Sequence, residues 1–462
     1  MVATAPETSA IEELRAALRG PAIAPGDAGY EEARKVYNGM IDKRPAVVVR
    51  CADAADVIAA VTFARERGAD LSVRGGSHSA PGFGTNDGGV VIDLSPMRGI
   101  RVDPRARTVR AEGGCTWGDL NHATHAFGLA TTGGIISTTG IAGLTLGGGI
   151  GYLTRGCGLS LDNLLSADVV TADGQFLTAS ERENEDLFWA LCGGSGNFGV
   201  VTSFEFRLHP VKDILAGIFV FPLDRGRDVL KFFREYIQTA PEEMGAFPAY
   251  LVAPPLPFLP DDAHGKTFCG IVACWAGPID KGEQAMEPIR RVAPTVGEMI
   301  APMPYPTINT LFDELLPAGL QQYWKGSFAT ELTDGAIDVH AEYGPKIPTM
   351  NCAMHIYAIN GACHRVAPDA TAFAYRDATF ATVIAGAWPD PADNEQHMRW
   401  VKDYYKALEP HSSRGGYINF MDADDQERIR DNYKGNYDRL TKVKAKYDPD
   451  NLFHLNQNIK PA

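Results

Sequence analysis

The chain has 462 residues, 22% of them charged and 45% hydrophobic, with a formal net charge of −14. At roughly 150 residues per domain that length suggests two or three domains, and the apolar share is enough for large buried cores. The acidic balance excludes the broad basic footprint that a nucleic acid or an anionic membrane needs, while leaving room for a local pocket that takes a phosphate-bearing cofactor.

Residues 1–20 have no basic start followed by an apolar run, so they do not read as a signal peptide. No apolar run approaches the ~18 residues of a membrane span. Eight cysteines are scattered without a CxxC pair, which speaks against a zinc ribbon or a dithiol redox site. Thiols in a long chain without a signal fit a reducing compartment, so a cytoplasmic protein is expected.

In chain order, the β-branched run at 45–51 predicts a strand. A helix follows over 53–68, with Asp53 as N-cap, Val57, Ile58, Val61 and Ala64 as its apolar stripe, and Gly68 as its stop. Short strands are expected at 71–73, 88–95 and 108–114, and a short helix at 117–128. Residues 164–180 read as a hairpin with an Asp-Gly turn, and 185–209 as helix, glycine loop and strand. After His209-Pro210 glycine thins out. Helix 227–241 and strands within 266–277, 323–332, 351–363 and 370–388 predict a sheet backed by helices. One clear helix is expected at 436–447.

Three glycine-dense loops, at 75–89, 133–151 and 193–199, fall in the first half of the chain. Glycine permits positive φ and close approach of backbone to a ligand, and consecutive free N–H groups can cradle phosphate. Their concentration points to a polyanionic cofactor. Gly194–Gly199 spells GxGxxG, but a helix precedes it and a strand follows, the reverse of a dinucleotide-binding turn. Gly265-Lys266-Thr267 lacks a P-loop's first glycine, because Pro260 stands there. His78, inside the first loop, has the titration range of a general base. His122 and His125 have no acidic partner nearby and read as helix surface.

The stretches 73–95, 141–174, 186–210, 415–420 and 447–459 resemble the berberine bridge enzyme-like FAD-linked oxidases of the vanillyl-alcohol-oxidase, or PCMH-type, superfamily. The resemblance implies an α+β fold. An FAD-binding domain over 30–210 would have two subdomains, a substrate domain over 211–411 would carry an antiparallel sheet backed by helices, and a segment over 412–462 would complete the flavin domain. It implies FAD bonded covalently through His78. Arg74, Gly75, Gly76 and Ser77 would wrap the pyrophosphate by backbone N–H groups, with Ser79 and Gly82 in the same loop. Ser77 stands where many members have glycine. Ser137, Thr138, Gly140 and Gly143 would line the other side of the cofactor. Gly199, Val200 and Val201 would reach its adenine end, and Asn419, Asn456 and Asn458 its ring. Ile136 stands where some members attach the flavin a second time through cysteine, so a single bond is expected, and Cys157 reads as a small buried residue.

By the same resemblance, a hydride leaves a C–H next to oxygen or nitrogen with help from a base, and dioxygen or another acceptor reoxidises the flavin. Tyr417 would be that base or its partner, sharing a strand face with Asn419. An unperturbed tyrosine, with a pKa of about 10, needs a neighbour to lower it for that task. His355 with Tyr357, and Tyr323 with Lys325, share strand faces and are further pocket candidates. Thr139 falls near the position that admits or blocks oxygen, and its small size favours an oxidase. The expected partner is a small alcohol, sugar, amine or phenol, with neither nucleic acid nor membrane. A dehydrogenase with another acceptor shares every motif, and a non-catalytic flavin binder is the third reading.

Overall fold

The computed structural model describes residues 6–462, so the first five residues of the N-terminal stretch lie outside it. Four short strands form the first sheet, in the order Ala22–Ile23, Val47–Arg50, Val90–Asp93 and Leu71–Arg74. The last three run parallel. Such strands need a crossover, and the helix Ala54–Arg67 supplies it. Asp53 caps that helix by accepting from the N–H groups of Ala55 and Asp56, and Gly68 ends it at φ +58°. The apolar stripe Val57, Val61 and Ala64 is fully buried against these strands.

An antiparallel sheet of five strands follows, in the order Ile100–Asp103, Thr108–Glu112, Val200–Arg207, Leu164–Val170 and Phe176–Ser180. The hairpin at its edge turns at Gly174, φ +84°.

The third sheet has seven antiparallel strands: Gly297–Pro304, Asp213–Phe221, Thr267–Trp275, Met244–Val252, Ala353–Ala358, Phe380–Trp388 and Gln321–Ala329. Successive side chains of a strand point to opposite faces. Phe219, Tyr250, Met354 and Ile384 accordingly join the core under the helices Gly226–Thr239, Asp334–Tyr343 and Asn394–Leu408. Leu251, Ala353, Tyr357, Val383 and Ala385 join the opposite core, which faces the glycine loops. The edge strand Gly297–Pro304 tolerates Pro302 and Pro304 because one side of it has no ladder to keep.

Two expectations about elements are corrected. Only the second half of 370–388 is a strand. Residues 370–379 are pulled out of the sheet by contacts to the glycine-loop side, where buried Arg376 pairs with Asp162 at 2.7 Å and the Phe373 N–H donates to the Cys192 carbonyl. The segment around Tyr417 is a 3₁₀ turn, Ile418–Phe420, rather than a strand. Among the described residues no helix is long and apolar enough to cross a membrane.

Candidate functional site

A cavity of about 330 Å³ opens between the glycine loops and the inner face of the seven-stranded sheet. That volume lies in the range of small-molecule sites, roughly 300–1,000 Å³. The first two loops meet at its floor. A Cβ on Gly76 would lie 2.3 Å from the Gly140 nitrogen, and one on Gly140 would lie 2.4 Å from the Gly76 nitrogen. Only glycine on both sides allows this approach.

His78 stands on the wall. Its ring stacks on Tyr37 with centroids 3.8 Å apart. Nε2 lies 3.0 Å from the Thr138 hydroxyl and Nδ1 3.4 Å from that of Thr139. Burial pushes the imidazole down to about 3, so it is neutral at physiological pH. Tyr37 also donates its phenol hydrogen to the Leu316 carbonyl, tying this loop to the segment before the last sheet strand. Among the described residues, the backbone N–H groups of Gly75, Gly76, Ser77 and His78 have no acceptor. Ser77 sits at φ +62°, where a side chain costs about 1–2 kcal/mol that glycine avoids.

The cavity wall includes Arg74, Gly75, Gly76, Ser77, His78, Ser79, Gly140, Gly143, Gly199, Val201, Asn419 and Asn456 from the expected cofactor set. It also includes Tyr417, Tyr357 and His355. Five expected cofactor residues are not on it. Gly82 makes a turn at φ +73° against Ile41. Ser137 holds Asp313 with both its N–H, at 2.9 Å, and its hydroxyl, at 2.5 Å. Thr138 meets His78 from behind. Val200 points into the core of the first sheet. Asn458, in the C-terminal segment, is half-buried, and its buried Oδ1 has no partner among the described residues. The Arg74 side chain is structural: it is buried, pairs with Asp93 at 2.8 Å and donates to the Ala33 and Lys35 carbonyls.

Tyr417 is fixed by two consecutive glycines. Gly148, at φ +142°, lies so close that a Cβ would be 2.8 Å from the tyrosine ring, and the Gly149 N–H donates to the phenol oxygen at 2.7 Å. Asn419 donates to the same oxygen at 2.9 Å, so the pair meets across a turn rather than along a strand. Burial pushes the phenol up to about 12 even though both donors favour the phenolate.

On the sheet, Tyr323 and Lys325 face away from the cavity and bind Asp424, at 2.6 and 2.5 Å. Trp324 between them is the one that lines the wall. The strand alternates as expected, but the face that meets the cavity is that of Trp324, not that of Tyr323 and Lys325. Tyr37, Phe312 and Phe420 reach the wall from loops, where no periodicity marks them. Cys157 is only partly buried, unlike the other seven cysteines, and desolvation pushes its thiol up to about 11.

The third glycine loop and the C-terminal segment close the remaining side. Asn197 donates to the Gln457 carbonyl and accepts from the Ile459 N–H. Asn456 donates to the Gly196 and Phe453 carbonyls, which leaves its buried Oδ1 without a partner.

A cavity bounded by phosphate-cradling loops and an apolar sheet face defines a cofactor-dependent enzyme with a separate substrate wall. A family described as FAD binding domain matches residues 45–180, and one described as berberine and berberine like matches 416–460. An FAD-linked oxidoreductase of Dictyostelium discoideum is 33% identical over 460 residues, covering 98% of this chain and 97% of the relative. The structure of 6-hydroxy-D-nicotine oxidase from Arthrobacter nicotinovorans superposes with a TM-score of 0.85 at 27% identity, covering 96% and 98% of the two chains. A glucooligosaccharide oxidase from Acremonium strictum, described with a 6-S-cysteinyl, 8α-N1-histidyl FAD, shares the fold at 24% identity and TM-score 0.85, over 98% and 99%. The chain belongs to the berberine bridge enzyme-like FAD-linked oxidoreductases, with the PCMH-type FAD-binding fold.

The residues present fit FAD. The unpaired N–H run of the first loop suits a pyrophosphate. A Cβ on Gly143 or Gly196 would meet nothing within 4 Å, so backbone there faces open cavity. The Asn456 Oδ1 is a buried acceptor awaiting a donor. Gly76→Ala is expected to force the two loops apart. At about 1–3 kcal/mol for overpacking, flavin content should fall by roughly fivefold or more. Visible flavin absorbance per mole of purified variant checks this, and an unchanged value would show that the loops give way freely.

Proposed function

We propose that the chain is an oxidase that holds its FAD through a covalent bond to His78. A small substrate loses a hydride from a C–H beside oxygen or nitrogen and a proton to the protein, and dioxygen takes the two electrons and leaves as hydrogen peroxide. The observation that carries the reading is the His78 imidazole on the cavity wall, pinned by Tyr37, Thr138 and Thr139. A neutral ring keeps a lone pair free for bond formation. Ile136 stands on the same wall, where a second, cysteinyl bond would need a thiol, so one attachment is proposed.

Bound FAD supplies the hydride acceptor and the route for electrons to oxygen. The chain supplies the rest. The wall carries no Asp, Glu or Lys, and its one arginine is engaged by Asp93. Tyr417 is the group proposed to take the substrate proton, because the Gly149 N–H and the Asn419 amide both donate to its oxygen and would stabilise a phenolate. Thr139, small and on the wall, leaves room for oxygen. The eight cysteines are all free, which supports a reducing compartment.

Acid precipitation of the purified protein tests the attachment. The expected result is a yellow pellet for the native chain and, for His78→Ala, a white pellet under a yellow supernatant. Yellow retained in the His78→Ala pellet would refute the assignment. Flavin that a substrate bleaches but air does not recolour would replace the oxidase with a dehydrogenase using another acceptor.

A further inference from the structure

The substrate half of the cavity has its own chemistry. Its wall on the sheet is Leu251, Ala353, Val383, Ala385 and Trp324, and Phe312 and Phe420 close over it. No ionised side chain is free to meet a charged ligand. A polyol buried there would leave most of its hydroxyls without partners, at a few kcal/mol for each one. Aromatic edges and faces are plentiful. Phe420 lies 4.7 Å from Tyr417, 6.1 Å from Tyr357 and 6.3 Å from Trp324, centroid to centroid.

Against this surface His355 and Tyr357 stand out. They sit two residues apart on one strand, on the face that lines the cavity, and are almost fully buried. The Tyr357 oxygen is 2.9 Å from His355 Nδ1. A buried phenol hydrogen needs an acceptor, and Nδ1 is the one within reach. The imidazole therefore carries its own hydrogen on Nε2, and that nitrogen has no partner among the described residues. Phe247 and Phe312 flank the ring at 5.0 and 5.8 Å, and neither carries an acceptor for that bond. The Trp324 indole N–H is likewise buried without a partner. The substrate wall thus has unmatched donors and no unmatched anion or cation.

We infer that the substrate is an uncharged, largely apolar aromatic molecule with a single acceptor group, and that the His355–Tyr357 pair is the specificity-determining contact for that acceptor. The inference rests on the flavin-enzyme reading above. It separates this chain from sugar-oxidising proteins of the same fold and assigns His355 to recognition, leaving proton removal to Tyr417.

The test is binding to the flavin-loaded protein, followed by ligand-observed NMR so that no turnover is required. Acetophenone carries an aromatic ring and a carbonyl acceptor. In α-methylstyrene a methylene replaces that oxygen with little change of shape. Benzoate is the charged counterpart and glucose the polyol. The expected result is roughly tenfold tighter binding of acetophenone than of α-methylstyrene, with benzoate and glucose weaker than either. His355→Leu should erase the preference and keep the affinity for α-methylstyrene. Tyr357→Phe, which conserves shape, should reduce the preference as well. Equal binding of the two neutral probes, tighter binding of benzoate or glucose, or a full preference in both variants would overturn the inference. A protein that purifies without flavin would bring down the reading it rests on, and with it this one. A yellow protein that fails the probe comparison would bring down this one alone.

Discussion

Tyr417→Phe is expected to lower kcat by roughly 10²–10⁴-fold, the contribution of a positioned proton acceptor. The ring itself stays packed, against Phe328 at 5.8 Å and Phe420 at 4.7 Å. What is lost is the oxygen that receives the Gly149 and Asn419 N–H groups. Leaving those donors unmatched costs about 1–3 kcal/mol of stability, so flavin content and the unfolding midpoint must be measured beside the rate. The pH profile separates the two effects. Burial holds the phenol at about 12, so the reactive phenolate is the minor form below that pH and its share grows as pH rises. The native rate should climb with pH across the neutral and mildly alkaline range, without a plateau. The Tyr417→Phe rate should be flat there. A native profile that levels off near neutrality, or a variant that keeps the rise, would assign the proton to another group.

The second large effect concerns stability. Lys444 and Asp448 are both wholly buried and 2.6 Å apart. Lys444 also donates to the Asn197 and Phe453 carbonyls, and Asp448 accepts from the Leu452 and Phe453 N–H groups. One ion pair thereby clamps the third glycine loop to the C-terminal segment. Lys444→Met strands a buried carboxylate, and the expected loss is about 3–5 kcal/mol, read as a lower denaturant midpoint. Adding Asp448→Asn removes the stranded charge and should return about half of that. A single variant as stable as the native chain would mean that the clamp is not needed. Flavin incorporation should be lower in the single variant, because Asn456 loses its support.

Local chemistry made much of this fold legible. Asp53 and Gly68 mark their helix because a cap and a left-handed stop act within one turn. His78 stood out because a histidine set among six glycines, between 75 and 89, has no packing purpose. Long-range geometry was not legible. Tyr323 and Lys325 alternate with Trp324 as any strand does, and only the packing of helix Asn394–Leu408 decides which side is inward. From Ile214 onward the strand Asp213–Phe221 holds only glycine and apolar residues, because both of its faces are covered, and so gives no alternation to read. Tyr37 meets His78 from about forty residues away with no pattern to announce it. Residues 370–379 looked like sheet by composition, and a buried arginine pairing with Asp162 took them elsewhere.

The closure of the flavin site has a consequence in time. The bonds from Asn197 to Gln457 and from Asn456 to Gly196 each span 260 residues. At the usual 5–20 residues per second of synthesis, the third glycine loop precedes its closing segment by roughly 10–50 s. Throughout that interval the loops that cradle the dinucleotide exist while the wall that will cover it does not. The growing chain thus offers FAD an open berth, and the residues that end the wait are the same ones that seal it.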